Sequence, residues 1–288
     1  MVNNLKKDAF LIIAHSSKEI LLQLLSRLDD ERADVFLHID KKADFDGNDL
    51  QLKKGRLFNL NDRIDARWGD FSLVEIELKL IKAALAEDNY DYLHLISGVD
   101  LPVKRLDDIY SDCGKNKGKE FIGYAQNVSP KELKWRTQHY FLFSRHFKAN
   151  SIIKRMLRHC FVKFQSIIGY KRCRRLEIRK GSQWWSITSG FARYVVGRED
   201  YIRKHFSHTY CPDEIVFQTL CWNSDFRDNI YRIDDEFKGC RRYIPWENGE
   251  LKSFTEKDFE KMRADDFWFA RKFKKSDLSS YSLIMDKR

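Results

Sequence analysis

The chain has no apolar run near the roughly 18 to 20 residues that a membrane-spanning helix needs, and no secretory hydrophobic segment precedes the first apolar run at Ala9. Its six cysteines include no Cys-x-x-Cys pair and no histidine spacing suited to zinc. We interpret them as free thiols in a reducing cytoplasm rather than as a disulfide framework. These absences predict a cytoplasmic protein without a membrane anchor.

Proline is scarce as well, with 4 residues among 288, and the chain shows no internal repeat, low-complexity tract or clear linker. A hydrophobic content of 43% and an aromatic content of 14% are those of a globular protein with a sizeable core. We therefore treat residues 1–288 as a single domain.

Acidic residues are scarce in one segment only. The segment from Lys131 to Lys180 contains fifteen Lys or Arg residues and only two acids, Glu132 and Glu177, so it carries a net charge of +13. The whole chain carries +10, so the remaining residues are slightly acidic. A basic patch of this kind is one way to bind the phosphate backbone of a nucleic acid.

Three short apolar runs have the continuous pattern of parallel strands that are buried on both faces. They are Leu11–Ala14, Val35–Ile39 and Tyr92–Ile96. Apolar residues at helical spacing lie between them, at Ile20–Leu28 and Leu73–Leu85. Strands that alternate with helices predict an α/β fold with a mostly parallel central sheet flanked by helices.

Ligands of such sheets bind at the carboxyl ends of the strands, in the loops that follow them. The predicted strands lead into loops that start at His15, Asp40 and Ser97. We therefore expect these three loops to share one nucleotide-binding crevice.

Two consecutive tryptophans, Trp184 and Trp185, lie in a stretch with the pattern of a buried strand that leads into an apolar helix. Neighbouring side chains on a strand point to opposite faces of the sheet. One indole should therefore pack in the core while the other can stack on a ligand. The residues leave open which indole does which.

A second helix opens with Pro212, Asp213 and Glu214. Proline suits a first helical position, and acids in the first turn complement the positive end of the helix macrodipole. Such acids are common and few are catalytic, so the residues alone favour a structural role for Glu214.

Six further segments follow one another along nearly the whole chain. They read AFLIIAHSS, DVFLHIDKKAD, RWGDFSLVEIELKLIKAAL, YDYLHLISGVDLPV, RRYIPW and FWFARKF, starting at Ala9, Asp34, Arg67, Tyr90, Arg241 and Phe267. With the Trp-Trp strand and the Pro-Asp-Glu turn, this series resembles the core-2/I-branching family of β-1,6-N-acetylglucosaminyltransferases, which also includes the peptide O-xylosyltransferases. The resemblance implies the GT-A fold, and the missing membrane anchor and free thiols indicate a bacterial member.

The resemblance also implies roles for individual residues. Glu214 matches the catalytic base, and Arg242 and Lys272 match the cations that hold the donor diphosphate. The positions that match the binding site for the donor's uridine and sugar are Ile13, Ala14, His15, Asp40, Lys41, Lys42 and Trp68. The expected acceptor contacts are Trp184, Trp185 and Asp213. Without the resemblance, Trp68 could equally be a core residue and His15 a structural histidine.

Within the single domain, we assign residues 1–125 to nucleotide-sugar binding and residues 181–288 to catalysis and diphosphate binding. Residues 126–180 form a basic insertion that faces the acceptor or a membrane. The family pattern is weakest in this insertion, which leaves the identity of the acceptor open.

We predict no metal and no cofactor. Many GT-A transferases hold a divalent cation with an Asp-x-Asp after a central strand, but the turn Ser97–Asp100 supplies a single carboxylate. The literal pair Asp44 and Asp46 lies in a polar stretch typical of a solvated turn. Fixed cations such as Arg242 and Lys272 can replace the electrostatic role of a metal.

The segment 152–168 combines an apolar helical face with four cations. A basic amphipathic helix is typical of proteins that bind a membrane surface, which would suit a lipid-linked glycan acceptor. A core helix with one solvated face is the alternative that the pattern leaves open.

The resemblance and these residues together predict an inverting, metal-independent glycosyltransferase with a UDP-sugar donor. By the resemblance, the sugar is N-acetylglucosamine. The acceptor would be a glycan or lipid-linked oligosaccharide in bacterial surface polysaccharide synthesis. It would work in the cytoplasm or on the inner face of the membrane. One alternative is a UDP-xylose-dependent enzyme of the same family. Others are an inactive scaffold and a non-enzymatic nucleic-acid binder, although the aromatic residues of the basic segment form no recognised nucleic-acid module.

Overall fold

The computed structural model describes residues 7–147, 151–173, 176–247 and 250–285. Parts of the predicted domain ranges, namely 1–6, 148–150, 174–175, 248–249 and 286–288, lie outside the described residues. The strands are β1 (Asp8–Ala14), β2 (Ala33–Ile39), β3 (Arg56–Asn59), β4 (Tyr92–Ser97), β5 (Leu101–Pro102), β6 (Phe121–Ile122), β7 (Trp185–Thr188), β8 (Arg242–Tyr243), β9 (Trp246–Glu247), β10 (Glu250–Leu251) and β11 (Phe269–Ala270). The α-helices are α1 (Lys18–Leu28), α2 (Ser72–Glu87), α3 (Leu106–Lys115), α4 (Pro130–Gln138), α5 (Ile152–Ile167), α6 (Ser189–Val196), α7 (Glu199–Phe206), α8 (Val216–Trp222), α9 (Glu236–Gly239), α10 (Glu256–Ala264) and α11 (Leu278–Met285).

A six-stranded sheet in the order β3-β2-β1-β4-β7-β6 forms the centre of the fold. The strands β3, β2, β1 and β4 run parallel to one another, whereas β7 runs antiparallel to both β4 and β6. The strand β7 follows the basic segment in the chain and lies between two strands that precede it. Parts of the chain on both sides of the basic segment therefore build one sheet.

The long strands are buried along their whole length because helices cover both faces of the sheet. Side chains alternate between two cores along β1: Leu11 and Ile13 pack in one core, and Phe10 and Ile12 pack in the other. The first core includes α2, α6 and α8, and the second includes α1, α3 and α11. The predicted α/β fold with a mostly parallel, helix-flanked sheet is confirmed.

The loops after β1, β2 and β4 lie together, as the sequence predicted. The Asp40 amide donates to the carbonyl of Ala14 over 2.8 Å, and the Gly98 amide donates to the carbonyl of Ile13 over 2.9 Å. A small sheet in the order β5-β11-β8 continues from the β4 loop. It brings the C-terminal part of the chain to the same edge, because the Phe273 amide donates to the carbonyl of Val99 over 3.0 Å.

The helix α5 does not fit the interpretation as a core helix. Its side chains Ile153 and Ile167 are 66% and 78% exposed, whereas its polar Gln165 is buried. Among the described residues, no helix combines the length and the apolar character needed to cross a bilayer.

Candidate active site

The Pro-Asp-Glu segment forms a tight helical turn at the edge of a cavity. Pro212–Glu214 is a single 3₁₀ turn, and the α-helix that follows it, α8, begins only at Val216. The cavity has a volume of about 300 Å³. Its lining residues are Trp68, Leu73, Lys180, Gly181, Ser182, Gln183, Trp184, Asp213, Glu214, Glu236, Phe237, Ile244, Trp246, Leu251 and Arg271.

A close backbone approach holds this turn in place. The Gly181 amide donates to the Glu214 carbonyl over 2.9 Å, and a Cβ atom at Gly181 would lie 1.8 Å from the carbonyl oxygen of Gly123. Only glycine fits at such a distance. The glycine that precedes the Trp-Trp strand therefore positions the Pro-Asp-Glu turn.

Glu214 is held by two cations of the basic segment. Its Oε2 atom lies 2.8 Å from Nη1 of Arg136 and 3.6 Å from Nζ of Lys180. The side chain is 32% exposed, so the carboxylate is accessible from the cavity that it lines. These two ion pairs fix the position of the carboxylate at the cavity.

Three further carboxyl groups lie at or near the Pro-Asp-Glu turn. Burial, and then the charge of Glu214, raise the pKa of Asp213, whose Oδ1 atom has no hydrogen-bond partner within the described structure. Burial and the nearby Asp213 raise the pKa of Glu77 well above its ordinary value, although Gln183 donates to it over 2.9 Å. Burial raises the pKa of Glu236 to about 7, against the opposing charge of Lys180. The site thus combines one salt-bridged carboxylate with acids that favour the protonated form.

We expect Asp213→Asn to change the pH dependence of stability. Because the folded pKa of Asp213 is raised, the folded chain holds a proton that the unfolded chain releases above about pH 4. The stability of the wild type should therefore fall as the pH rises from about 4, the pKa in the unfolded chain, to about 8, the pKa in the folded chain. Asparagine cannot release a proton, so the variant should not show this contribution to the fall. Urea unfolding at pH 5 and pH 9 measures it: the variant should gain stability relative to wild type at pH 9. The exposed Asp44→Asn is the matched control, and an equal difference at both pH values for Asp213→Asn contradicts the expectation.

Trp184 and Trp185 have different surroundings. Trp185 is fully buried and its ring packs on Phe217, with ring centroids 4.8 Å apart. Trp184 lines the cavity, and the guanidinium of Arg271 lies 4.2 Å from its ring centroid. Trp185 is therefore a core residue, and Trp184, although only 8% exposed and part of the same core, is the indole that lines the cavity.

Trp68 lies at the cavity and not in the core, since it is 47% exposed. Its ring contacts Tyr210 edge to face, at 5.7 Å between centroids. The carbonyl of the adjacent Gly69 accepts a hydrogen bond from the Cys211 amide over 3.1 Å. This backbone contact fixes Trp68 next to the Pro-Asp-Glu turn.

Arg271 connects this cavity with the loops after β1 and β2. Its Nε atom lies 3.8 Å from Oδ1 of the buried Asp100, which is the single carboxylate of the β4 loop. His15 directly follows β1. Burial of its ring lowers the pKa of His15, and the positive charges of Lys272 and Arg271 lower it further. The negative charge of Asp40 opposes this shift. Two cations from the C-terminal loop therefore lie close to the predicted nucleotide loops.

The predicted donor residues differ in what they can offer a ligand. Ile13 and Ala14 are buried in β1, and their carbonyls accept the Gly98 and Asp40 amides, so these two residues shape the crevice from within. Lys41 is exposed. Lys42 donates to Asp40 over 2.9 Å and to Asp65 over 2.5 Å, and these bonds stabilise the loop after β2.

Arg242 is not at the cavity, and its predicted contact with a diphosphate does not fit its position. The side chain is fully buried below Phe269, with its guanidinium 4.7 Å from that ring. It donates to the carbonyls of Cys240, Leu95 and Trp185 and to the hydroxyl of Ser186, over 2.8 to 3.2 Å. The adjacent Arg241 is buried as well and pairs with Asp112 at 3.0 Å. The arginine that lines the cavity is Arg271.

Potential metal ligands converge at one place in the described structure, and that place is not the cavity. Asp8, His94 and Cys113 are buried together, with their ligand atoms within 4.8 Å of one another. Burial raises the pKa of the Cys113 thiol, which opposes the thiolate form that a metal requires. Asp44 and Asp46 are exposed, and Asp46 accepts hydrogen bonds from Asn48, as expected of a solvated turn.

Sequence reasoning missed three residues that shape the site: Arg136, Lys180 and Glu236. Arg136 reaches Glu214 across 78 residues of sequence. Nothing in the local pattern of α4 distinguishes it from its basic neighbours. Lys180 directly precedes the glycine of the Trp-Trp stretch, which was the one usable signal. Arg271 was visible only as the neighbour of Lys272.

A family model and several known proteins match this chain. A family model described as Core-2/I-Branching enzyme matches residues 9–268. Xylosyltransferase 2 of Rattus norvegicus is 22% identical over an alignment of 304 positions that covers 98% of this chain and 33% of that protein. Xylosyltransferase sqv-6 of Caenorhabditis elegans is 25% identical over 264 positions, with 83% and 31% covered.

The chain therefore spans about a third of the length of the curated relatives that it matches. Among solved structures, the apo form of mouse xyloside xylosyltransferase 1 aligns with a TM-score of 0.38 and 10% identity, over 91% of this chain and 97% of that one. Because the family model matches most of its residues, the chain belongs to the Core-2/I-Branching enzyme family.

Proposed function

We propose that this chain is an inverting, metal-independent glycosyltransferase that moves N-acetylglucosamine from a UDP donor to a hydroxyl of a glycan. One observation carries the proposal: the carboxylate of Glu214 and the guanidinium of Arg271 line the same cavity, with the ring of Trp184 beside them. A base, a cation and an aromatic face are what sugar transfer to a hydroxyl needs. Family membership supports the same reaction class.

Glu214 is the proposed general base. Both cations contact its Oε2 atom, so Oε1 is the oxygen that we propose takes the proton of the acceptor hydroxyl. The acceptor oxygen forms a bond to the anomeric carbon of the donor as the bond from that carbon to the UDP oxygen breaks. UDP leaves with the electron pair. One displacement of this kind inverts the anomeric configuration.

Arg271 and Lys272 are the proposed diphosphate contacts. They follow β11, and their charges act on His15 in the loop after β1. Two fixed cations at the diphosphate stabilise the charge that develops on departing UDP, which is the role of a metal in many related reactions. For the uridine and sugar, we propose His15, Asp40 and Lys41 in the crevice, with Trp68 offering an aromatic face.

Trp184 and Asp213 remain the proposed acceptor contacts, because both line the cavity beside Glu214. Trp185 is not among them, since it is buried in the core. We place the reaction in bacterial surface polysaccharide synthesis, on the cytoplasmic side of the membrane. The basic segment supplies two residues to the site, Arg136 and Lys180, which supports its predicted place on the acceptor side.

A UDP-xylose donor is the second candidate. The relatives named above are xylosyltransferases, and donor choice depends on a few contacts in the pocket. Both candidates share the base and the diphosphate contacts, so they differ only in the donor sugar.

A panel of sugar nucleotides tests the proposal. We expect one UDP-sugar to raise the melting temperature and to release UDP, with little change when a chelator removes divalent cations. Release from UDP-xylose alone would select the second candidate, and loss of release with chelator would contradict metal independence. No thermal shift and no release with any UDP-sugar would contradict the proposed donor class.

A further inference from the structure

We infer that the outer face of α5 binds the surface of an anionic lipid bilayer. The basis is the orientation of this helix on the protein. Its residues Ile152, Ile153, Met156, Leu157, Phe164 and Ile167 are 45% to 78% exposed, and so is the following Ile168. Fifteen large hydrophobic side chains are exposed in the described structure, and seven of them belong to this one segment.

The face of α5 that contacts the protein is its more polar one. Gln165 is buried, accepting from the Tyr140 amide over 2.8 Å and donating to the Tyr140 carbonyl over 2.9 Å. The guanidinium of Arg158 lies 4.3 Å from the centroid of the Phe147 ring. With about 100° between successive helical residues, the exposed apolar side chains lie on the side opposite Gln165 and Arg158. A surface helix of a globular protein normally has the reverse orientation.

An apolar face of this size, turned away from the protein, is typical of a site that another surface covers. Charge indicates which surface. The helix contains no acid and four cations, and the segment from Lys131 to Lys180 carries +13. Exposed cations flank the apolar face, among them Arg155, Lys163 and Lys171. Apolar side chains bordered by cations match the acyl boundary and the phosphate headgroups of an anionic bilayer.

Other occupants fit less well. In a second copy of the chain, the same +13 segment would oppose this one, and the like charges would repel. A nucleic acid would need cations on the outer face, whereas that face presents Ile, Met, Leu and Phe side chains. These occupants are therefore outcomes that the test must distinguish.

A chain of contacts joins α5 to the catalytic carboxylate. Phe147, which lies under Arg158, has its ring centroid 4.7 Å from that of Tyr210. The guanidinium of Arg136 lies 5.2 Å from the Tyr210 ring and binds Glu214. A consequence that rests on the proposed function is that α5 brings the acceptor side of the cavity close to glycans carried on lipids.

Vesicle flotation with the full chain tests the inference without using catalysis. The probes are vesicles of phosphatidylcholine mixed with phosphatidylglycerol, and vesicles of phosphatidylcholine alone. We expect binding to the anionic vesicles that weakens with salt and little binding to the neutral ones. No binding to anionic vesicles at low salt, or equal binding to both kinds, would overturn the inference.

Two variants locate the contact. Ile153→Ser combined with Ile167→Ser should weaken vesicle partition by about a hundredfold, on the order of tenfold for each side chain. Arg155→Gln combined with Lys163→Gln should weaken it by about tenfold or more. The matched control is Ile233→Ser, since Ile233 is 51% exposed elsewhere on the surface and should not affect binding.

Unchanged partition of the isoleucine variant would overturn the assignment to α5. Self-association of the wild type in gel filtration that the same variant abolishes would assign the face to a second copy instead. Salt-sensitive binding of RNA or DNA that the arginine and lysine variant abolishes, without vesicle binding, would assign it to nucleic acid. Donor-dependent UDP release is scored separately, so a failed flotation and a failed transferase assay are distinguishable.

Discussion

Glu214→Gln should slow sugar transfer by about a hundredfold to ten-thousandfold, the usual contribution of a positioned general base. The amide has nearly the shape of the carboxylate but cannot accept the proton of the acceptor hydroxyl. Donor binding should stay near normal, because the proposed diphosphate contacts are Arg271 and Lys272. The measurements are turnover from UDP release and UDP affinity by calorimetry.

Variants of two other acids provide the control and the competing assignment for this test. Glu132 binds the same arginine as Glu214, at 2.9 Å from Nη2 of Arg136, but does not line the cavity. Glu132→Gln therefore controls for the lost ion pair and should change turnover little. Glu236 lines the cavity and has a raised pKa. If Glu236→Gln abolishes transfer while Glu214→Gln does not, Glu236 is the base and the assignment of Glu214 is wrong.

The cations around Glu214 explain why one acid of four suits the role of a base. Asp213 and Glu77 are buried and Glu236 is half-buried, and the loss of water around each carboxyl group raises its pKa. Glu214 is partly exposed and has Arg136 and Lys180 against one oxygen. A carboxylate held by two cations, beside acids whose pKa values are raised, can take a proton with less opposing negative charge close by.

Much of the fold could be predicted from the sequence because its strands are buried on both faces. Continuous apolar runs such as Leu11–Ala14 have few alternatives, and β1, β2 and β4 lie where these runs predicted. Alternation along a strand predicted different surroundings for Trp184 and Trp185, but β7 begins only at Trp185, so Trp184 lies just before the strand. The assignment of each indole depended on the cavity, which forms from distant parts of the chain.

The site was less predictable because its contacts are distant in sequence. Arg136 comes from α4 and Lys180 precedes β7, and their meeting at Glu214 depends on the packing of the basic segment. In α5, periodicity located the apolar face correctly. It could not tell whether that face points to the core or to solvent, because both arrangements have the same period.

Arg242→Ala should destabilise the fold by about 4 kcal/mol and lower the melting temperature by about 10 °C, because it leaves buried acceptors unpaired and opens a void. Three carbonyls and the Ser186 hydroxyl would lose their donor together. Arg242→Lys keeps the charge but cannot reach all four acceptors, so it should also lower stability while leaving UDP affinity near normal.

Lys272→Ala is the contrasting variant. Lys272 is exposed, so its loss should leave the melting temperature nearly unchanged, and it should weaken UDP binding by about tenfold or more if the ammonium contacts the diphosphate. Thermal unfolding and UDP calorimetry on both variants separate the two roles. If Arg242→Lys weakens UDP binding as much as Lys272→Ala while the fold stays stable, Arg242 contacts the donor after all. The buried position of its guanidinium would then have to change when UDP binds.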